Sequence, residues 1–459
     1  MESSIMNNIF RQYDIRGIVD NELSEKMAYD IACAFSTYAI KKGQKTLLLG
    51  RDNRASSPAI AKFMIEGALS SGCDVIDLGM VITPIFYFAS RYLNIPAGIM
   101  ITASHNPPDY NGCKLLLGDS TIYGEQIQEI RKIIEQKAYY HGPRGSLKQL
   151  NINDAYSHMI NQKISLGPHK LKVVVDCGNG TASLFAPSIF RKLGCEVVEL
   201  YCESDSSFPN HHPDPINPEN MKDLIEYVKM QKADLGIGID GDGDRLGVVD
   251  NEGNLIWGDM LMIIFWREIM PRYPGTKAIV EVKCSQALID EIKRLGGEPV
   301  MFKTGHSLIK AKMKELGAVF TGEMSGHMFF GDNYYGFDDA IYASARLLSL
   351  LSHSDKTLPE MLADVPRYYS TPEIRIPSDD IKKFEIVNKV LQYFKTKYQI
   401  IDVDGARIIF PHGWGLVRAS NTGPELIVRC EANSPEALSK IKDELFSFLQ
   451  QQDLLVAAI

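Results

Sequence analysis

The sequence predicts an α/β protein: three topologically similar α/β domains followed by a smaller α+β domain. Three observations carry that expectation. One strand–helix–strand unit recurs roughly every hundred residues. The chain has 459 residues, too many for one ordinary core. Its texture changes after about Arg367.

The repeated unit is a short apolar run, a polar or glycine-bearing loop, a helical stretch ending in glycine, and a second apolar run. Its copies run from Thr46 to Gly79, Leu171 to Leu200 and Lys277 to Phe302. Gly72, Gly194 and Gly296 fall at matching places, where a helix should stop and the chain turn into a strand. Such units build largely parallel sheets. Beyond Arg367 the runs DGARIIF, WGLVRAS and ELIVRCEA read as a short-strand meander. One amphipathic helix follows, with Ser434 as N-cap and Pro435 in its first turn. The expected domains are therefore 1–150, 151–255, 256–366 and 367–459.

Composition narrows the function. Hydrophobic content of 45% and charged content of 23% suit a soluble globular protein. A net charge of −8 argues against a nucleic-acid partner, but leaves room for a small anion held by a local cationic cluster. The start of the chain shows no secretory pattern, and the apolar run Leu261–Trp266 is too short to span a bilayer. Eight scattered cysteines without a C-x-x-C pair read as small buried hydrophobes in a reducing cytoplasm. The expected partners are small molecules, with no membrane; oligomeric state is left open.

Four loops carry chemistry, each after a strand-like run, where open α/β sheets present ligand sites. In Thr102-Ala103-Ser104-His105-Asn106-Pro107, Ser104 is a candidate nucleophile beside a histidine, with Lys114 a nearby cation. Taken alone, the segment reads more readily as a turn with local hydrogen bonds. In Asp240-Gly241-Asp242-Gly243-Asp244-Arg245, alternate carboxylates converge, and three hard oxygen ligands suit Mg²⁺. An EF-hand is excluded, because Arg245 and Asn251 stand where it needs Gly and Glu. The loops Thr304–Ser307 and Thr321–His327 set Glu323, Ser325, His306 and His327 among small residues, suited to sugar hydroxyls or to simple turns. Arg418-Ala419-Ser420-Asn421-Thr422-Gly423, with Arg429 on the next strand, forms a phosphate cradle or a hairpin turn. Two weaker signals are Asp176–Gly180, an incomplete dinucleotide fingerprint, and the His211–Pro215 loop, which reads as proline-rigidified rather than metal-binding.

Together TASHNP, DGDGDR, GEMSGH and RASNTGP, in this order and spacing, resemble the α-D-phosphohexomutase superfamily. The nearest likeness is to its bacterial phosphomannomutase/phosphoglucomutase group, from Phe10–Gly17 to the Arg429 strand. The resemblance implies four domains with mixed sheets around a central cleft. It implies a phosphoserine at Ser104 and one Mg²⁺ per chain, held by Asp240, Asp242, Asp244 and a phosphoserine oxygen. Arg16, Lys114 and Arg245 would surround the transferring phosphoryl group, and Glu323 and Ser325 would hold sugar hydroxyls. Arg418, Ser420, Asn421, Thr422 and Arg429 would grip the other phosphate. Tyr13, Lys283 and His306 match further cleft positions.

The implied activity interconverts hexose 1-phosphates and hexose 6-phosphates through hexose 1,6-bisphosphate, which serves as both intermediate and activator. Met324 in GEMSGH is similar to the mannose- and glucose-phosphate enzymes; Gln there would mark phosphoglucosamine mutases. A phosphoglucosamine mutase is the runner-up, and a non-catalytic sugar-phosphate-binding protein and a metal-dependent phosphatase remain competing readings. The general base is open among His306, Lys114 and His105.

Overall fold

The computed structural model describes residues 9–379, 381–420 and 423–452. In the first domain the strands stand in the order Ile15–Ile18, Tyr110–Leu117, Ala97–Ile101, Thr46–Arg51, Asp74–Met80, Leu147–Gln149. The inner strands are parallel: Thr46–Arg51 pairs that way with both Asp74–Met80 and Ala97–Ile101. Tyr110–Leu117 runs antiparallel to its two neighbours. The all-apolar run of Ala97–Ile101 follows from this position, since every one of its residues is buried.

The second domain repeats the plan. Leu246–Asp250, Leu235–Ile239, Lys172–Asp176 and Glu196–Leu200 lie side by side, the last three parallel and Leu246–Asp250 antiparallel. In the third domain Lys277–Glu281 pairs in parallel with Glu298–Phe302, and Phe320–Gly322 antiparallel with Met328–Phe330. The Thr321 hydroxyl donates to the Ile279 carbonyl at 2.9 Å and ties these two ladders together. The sheets are thus mixed, and the repeated units of the sequence are their parallel cores. Gly72, Gly194 and Gly296 all adopt positive φ, the left-handed stop expected of them.

The fourth domain is an antiparallel sheet in the order Tyr369–Ser370, Glu425–Ala432, Gly413–Ala419, Ala406–Phe410, Gln399–Ile401, with Ile374–Pro377 also on Glu425–Ala432. Ser434 caps the helix Pro435–Gln450, its hydroxyl accepting the Ala437 N–H at 3.1 Å. The expected single helix is corrected here, because Lys382–Phe394 forms a second one on the same sheet. Its buried stripe, Ile386, Val387, Val390 and Phe394, is narrow, and Lys383 inside it is buried too. That lysine broke the apolar signal.

One apolar core runs through the first three domains, from Ile85 and Phe88 through Val173 and Ile237 to Phe265 and Tyr342. The fourth domain has a core of its own, joined to the third by a small cluster of Val282, Trp414 and Leu416. All eight cysteines are free, and seven are buried. Among the described residues no helix is long and apolar enough to cross a membrane.

Candidate active site

The first three domains present their chemistry at one topological position. Ala97–Ile101 leads through Ser104 into Tyr110–Leu117, and Leu235–Ile239 leads through the aspartates into Leu246–Asp250. Phe320–Gly322 leads through Glu323 and His327 into Met328–Phe330. In each case the loop joins a strand to its antiparallel neighbour. Three copies of one fold therefore deliver three different loops to a common place.

Ser104 is buried with φ +50, in the left-handed region, and its hydroxyl donates to Asp240 Oδ2 at 2.6 Å. The approach is close because Gly241 faces the Ser104 carbonyl; a Cβ on Gly241 would lie 2.5 Å from that oxygen. Nδ1 of His105 is 3.1 Å from the Ser104 hydroxyl. Asp240 Oδ1 accepts the backbone N–H groups of Asp244 and Arg245 at 2.9 and 3.0 Å, which curls the loop.

Asp240, Asp242 and Asp244 are all buried, with one oxygen of each within 4.8 Å of the other two. The Lys114 ammonium donates to Asp242 at 2.7 Å and to Asp244 at 2.5 Å. The Thr83 hydroxyl donates to Asp242 at 2.6 Å. Burial and then the neighbouring carboxylates Asp244 and Asp242 push Asp240 well above the ordinary carboxylate range. Burial acts the same way on Asp242, but Lys114 outweighs it and holds that carboxyl below its ordinary value. Asp242 Oδ1 and Asp244 Oδ1 are buried without a hydrogen-bond partner. Three close carboxylates, one ammonium and two orphaned oxygens leave negative charge that a hard divalent cation would match, so the donor set fits Mg²⁺.

Arg16 donates to Asn106 Oδ1 at 2.5 Å and to Asp14 at 2.6 Å, which ties it to the Ser104 loop. Arg245 Nε donates to His327 Nε2 at 3.0 Å and links the second domain to the third. His327 stacks on His306 with ring centroids 5.4 Å apart, and its Nδ1 lies 3.0 Å from Asp338. Burial, then the Lys310 charge, holds His306 well below its ordinary pKa, so its imidazole is neutral near neutral pH. The Tyr13 hydroxyl donates to the Thr304 carbonyl at 3.0 Å. Glu323 accepts the Gly305 N–H at 2.8 Å, and burial raises its pKa. Ser325 is half-buried in the same turn as Glu323.

The fourth domain meets this ring through the third. Arg429 donates to the Lys283 carbonyl and, at 2.5 Å, to the Met324 sulfur. Lys283 pairs with Glu373 at 3.1 Å. Arg418 donates to Asp404 at 3.0 Å, and Asp404 also accepts the Thr304 N–H at 3.0 Å. Ser420 accepts the Gly423 N–H at 3.2 Å through its hydroxyl. Asn421 and Thr422 lie outside the described residues.

This arrangement has close counterparts. Four family models match in series: phosphoglucomutase/phosphomannomutase alpha/beta/alpha domain I over residues 7–141, domain II over 154–253, domain III over 257–369, and the C-terminal domain over 373–447. A phosphomannomutase/phosphoglucomutase of Pseudomonas aeruginosa is 47% identical over 95% of this chain and 94% of its own length. The chain belongs to the phosphoglucomutase/phosphomannomutase family. A phosphoglucomutase of Neisseria gonorrhoeae is 42% identical, with 99% of each chain covered. The crystal structure of a phosphoglucomutase/phosphomannomutase family protein from Burkholderia thailandensis superposes with a TM-score of 0.91 at 40% identity, covering 97% of this chain and 98% of that one. As a member of this family the chain is a phosphohexomutase, an enzyme that moves a phosphoryl group within a hexose phosphate.

Residues that the sequence did not single out pair with the candidate site residues of this phosphohexomutase. Asp338 is fully buried between His306, His327 and Lys310. Its signal was the pair Asp338–Asp339 after Gly336-Phe337, which resembles a solvated turn. Glu373 and Asp404 pair with Lys283 and Arg418 from loops of the fourth domain, without any motif around them. Asp176–Gly180, the incomplete fingerprint, packs against protein instead: a Cβ on Gly180 would lie 2.9 Å from Gly241 Cα, and Thr181 N–H donates to the Gly241 carbonyl at 3.0 Å. In the His211–Pro215 loop, His211 sits 3.0 Å from Asp176, and Pro213 accepts the Gly241 N–H at 3.2 Å. Both loops buttress the aspartate loop.

Proposed function

We propose that this phosphohexomutase carries its transferable phosphoryl group on Ser104 and interconverts the 1- and 6-phosphates of mannose and glucose through hexose 1,6-bisphosphate. The observation that carries the reading is the Ser104 hydroxyl, buried and 2.6 Å from Asp240, beside three carboxylates and the Lys114 ammonium drawn from two domains. A free hydroxyl of the bound hexose phosphate attacks the phosphorus, the bond from phosphorus to the Ser104 oxygen breaks, and the bisphosphate forms. After the sugar turns end for end, its other phosphate returns a phosphoryl group to Ser104.

Such a transfer needs in-line placement and neutralised charge on the equatorial oxygens. Arg16, Lys114 and Arg245 are the cations suited to that task. A Mg²⁺ ion held by Asp240, Asp242 and Asp244 would add positive charge beside the phosphoserine oxygen. Lys114 is a poor proton acceptor: burial lowers its pKa, but Asp242 and Asp244 raise it well above the ordinary value. The neutral imidazole of His306 suits the proton of the attacking hydroxyl better. Glu323 and Ser325 would hold ring hydroxyls, with Tyr13 and Lys283 beside them. Arg418, Ser420, Asn421, Thr422 and Arg429 would grip the distal phosphate at either end of the sugar. The separate core of the fourth domain supports hinge motion near Arg367 during the turn.

Met324 within GEMSGH supports a mannose and glucose preference, as does the likeness to the Pseudomonas phosphomannomutase/phosphoglucomutase and the Neisseria phosphoglucomutase. A substrate panel primed with hexose 1,6-bisphosphate tests it. Higher activity on glucosamine 6-phosphate than on mannose 1-phosphate would reverse the assignment. The phosphoserine is tested by intact mass: active enzyme should carry one phosphate that Ser104→Ala lacks. Mutase activity surviving in Ser104→Ala would sink the mechanism.

A further inference from the structure

The Ser104 loop is held from beneath by a side chain that no motif marks. Arg54 follows the strand Thr46–Arg51 and is 1% exposed. Its guanidinium donates to four carbonyls of one loop: Ser104 at 2.8 Å, Asn106 at 2.6 Å, Pro107 at 2.7 Å and Tyr110 at 3.0 Å. Asp52, 3.4 Å from its Nε, supplies the counter-charge. Asp52 is itself fixed by the Ser57 hydroxyl at 2.5 Å and by the Arg54 N–H at 3.1 Å. The far face of the guanidinium lies 5.5 Å from the Phe208 ring of the second domain. Next to it, Asn53 donates to the Asn179 carbonyl at 2.8 Å through its side-chain amide and to the Thr181 hydroxyl at 2.9 Å through its backbone N–H.

We infer that Arg54 is a positioning residue for phosphoryl transfer: by gathering four carbonyls of the Ser104–Tyr110 loop it keeps Ser104 in its left-handed conformation and its hydroxyl aimed at the aspartate loop. The inference rests on the reading of Ser104 as the phosphoryl carrier. A serine at φ +50 occupies a sparsely populated region and stays there only when its surroundings over-determine it. The Thr102 hydroxyl accepts the Ser104 N–H at 2.8 Å, and Arg54 takes the carbonyl on the other side, so both polar groups of that residue's backbone are fixed. Only a planar fork with several fixed donors can serve four acceptors at once. A lysine ammonium has three donors and no fork. The buried positive charge also stays beside the loop whether or not Ser104 bears phosphate.

The test is Arg54→Lys, with Arg54→Gln as the second variant should the first not yield folded protein. A misaimed nucleophile should lower kcat by about 10²-fold with KM changed less than about threefold, because the sugar-binding groups are untouched. The phosphorylated variant should also lose its phosphate to water faster than the wild type, relative to transfer to sugar. A lowered melting temperature with kcat and phosphoenzyme lifetime unchanged would overturn the inference, leaving Arg54 a structural residue. A rise in KM alone would overturn it too. Intact mass of the wild type separates the two claims: without phosphate on Ser104 the carrier reading itself fails, whereas phosphate present together with wild-type kcat in Arg54→Lys rejects only the role of Arg54.

Discussion

Asp242 shows how single residues share the work at the site. One of its oxygens takes hydrogen bonds from Thr83 and Lys114; the other is buried with none. Three buried carboxylates repel one another, and one ammonium offsets only part of that charge. Chelation should therefore abolish activity in the wild type and added Mg²⁺ should restore it. Asp242→Asn removes a charge from the proposed ligand set and weakens the hold on Lys114, so it should lower kcat by about 10²- to 10³-fold, with no rescue by excess Mg²⁺. Wild-type kinetics in Asp242→Asn would show that the carboxylate is not a ligand. Asp242 was legible in the sequence because its partners Asp240 and Asp244 lie within five residues of chain. Arg54 and Asp338 were not, because Arg54 meets its carbonyls some fifty residues on, and Asp338 meets Lys310 28 residues back. A lone charged residue carries no signal until the fold supplies its partner.

At the scale of elements, the strand pair Ile15–Ile18 and Tyr110–Leu117 sets where Arg16 stands. Arg16 lies opposite Gly112 in that ladder, and a Cβ on Gly112 would come 2.2 Å from the Ile15 carbonyl and 3.0 Å from Arg16 Cα. Both obstacles are backbone, so no rotamer change relieves them. Gly112→Ala should push the edge strand outward and carry Arg16 away from Asn106. The expected result is a loss of about 10²-fold in kcat/KM, with overpacking lowering stability by about 1–3 kcal/mol in denaturant titrations. Unchanged kcat/KM would mean that the register of this strand does not aim Arg16. The repeated strand–helix–strand units were legible because their apolar runs and terminal glycines are local signals. The edge strand Ile15–Ile18 was not: its four residues alternate buried and half-buried, and its place is set by pairing with a strand about a hundred residues later. The helix Lys382–Phe394 was hidden for another reason, the lysine within its buried stripe. That lysine's ammonium donates to the Ser420 and Gly423 carbonyls at 2.9 and 3.0 Å, a need that only the folded loop creates.

Over the whole molecule, three domains share one core and the fourth is fastened by polar contacts around a small apolar cluster. Arg407 is fully buried, donates to the Val282 and Cys284 carbonyls at 2.6 and 2.9 Å, and lies 3.8 Å from the Trp414 ring. Glu431 accepts both the Trp414 N–H and the Gln286 N–H at 2.8 Å. The pair Glu373–Lys283 is the fastening whose strength depends on pH. Burial alone would raise the Glu373 pKa, but Lys283 and then Arg375 outweigh it and bring it from 4.5 down to about 2. A carboxyl depressed on folding stabilises the folded state above its unfolded pKa and loses that contribution as pH falls through its folded one. The pair therefore contributes fully above 4.5 and fades toward 2, with an upper magnitude of about 3 kcal/mol. Glu373→Gln should lower the melting temperature most near neutral pH, and calorimetry should show the gap from wild type closing as the pH is taken below 4.5. A gap of constant size across that range would place the loss in packing rather than in the charge pair. Because Lys283 is proposed to stand beside the bound sugar, freeing it from Glu373 should raise KM for hexose phosphates more than it changes kcat, so the same variant reads the fastening and the proposed site together.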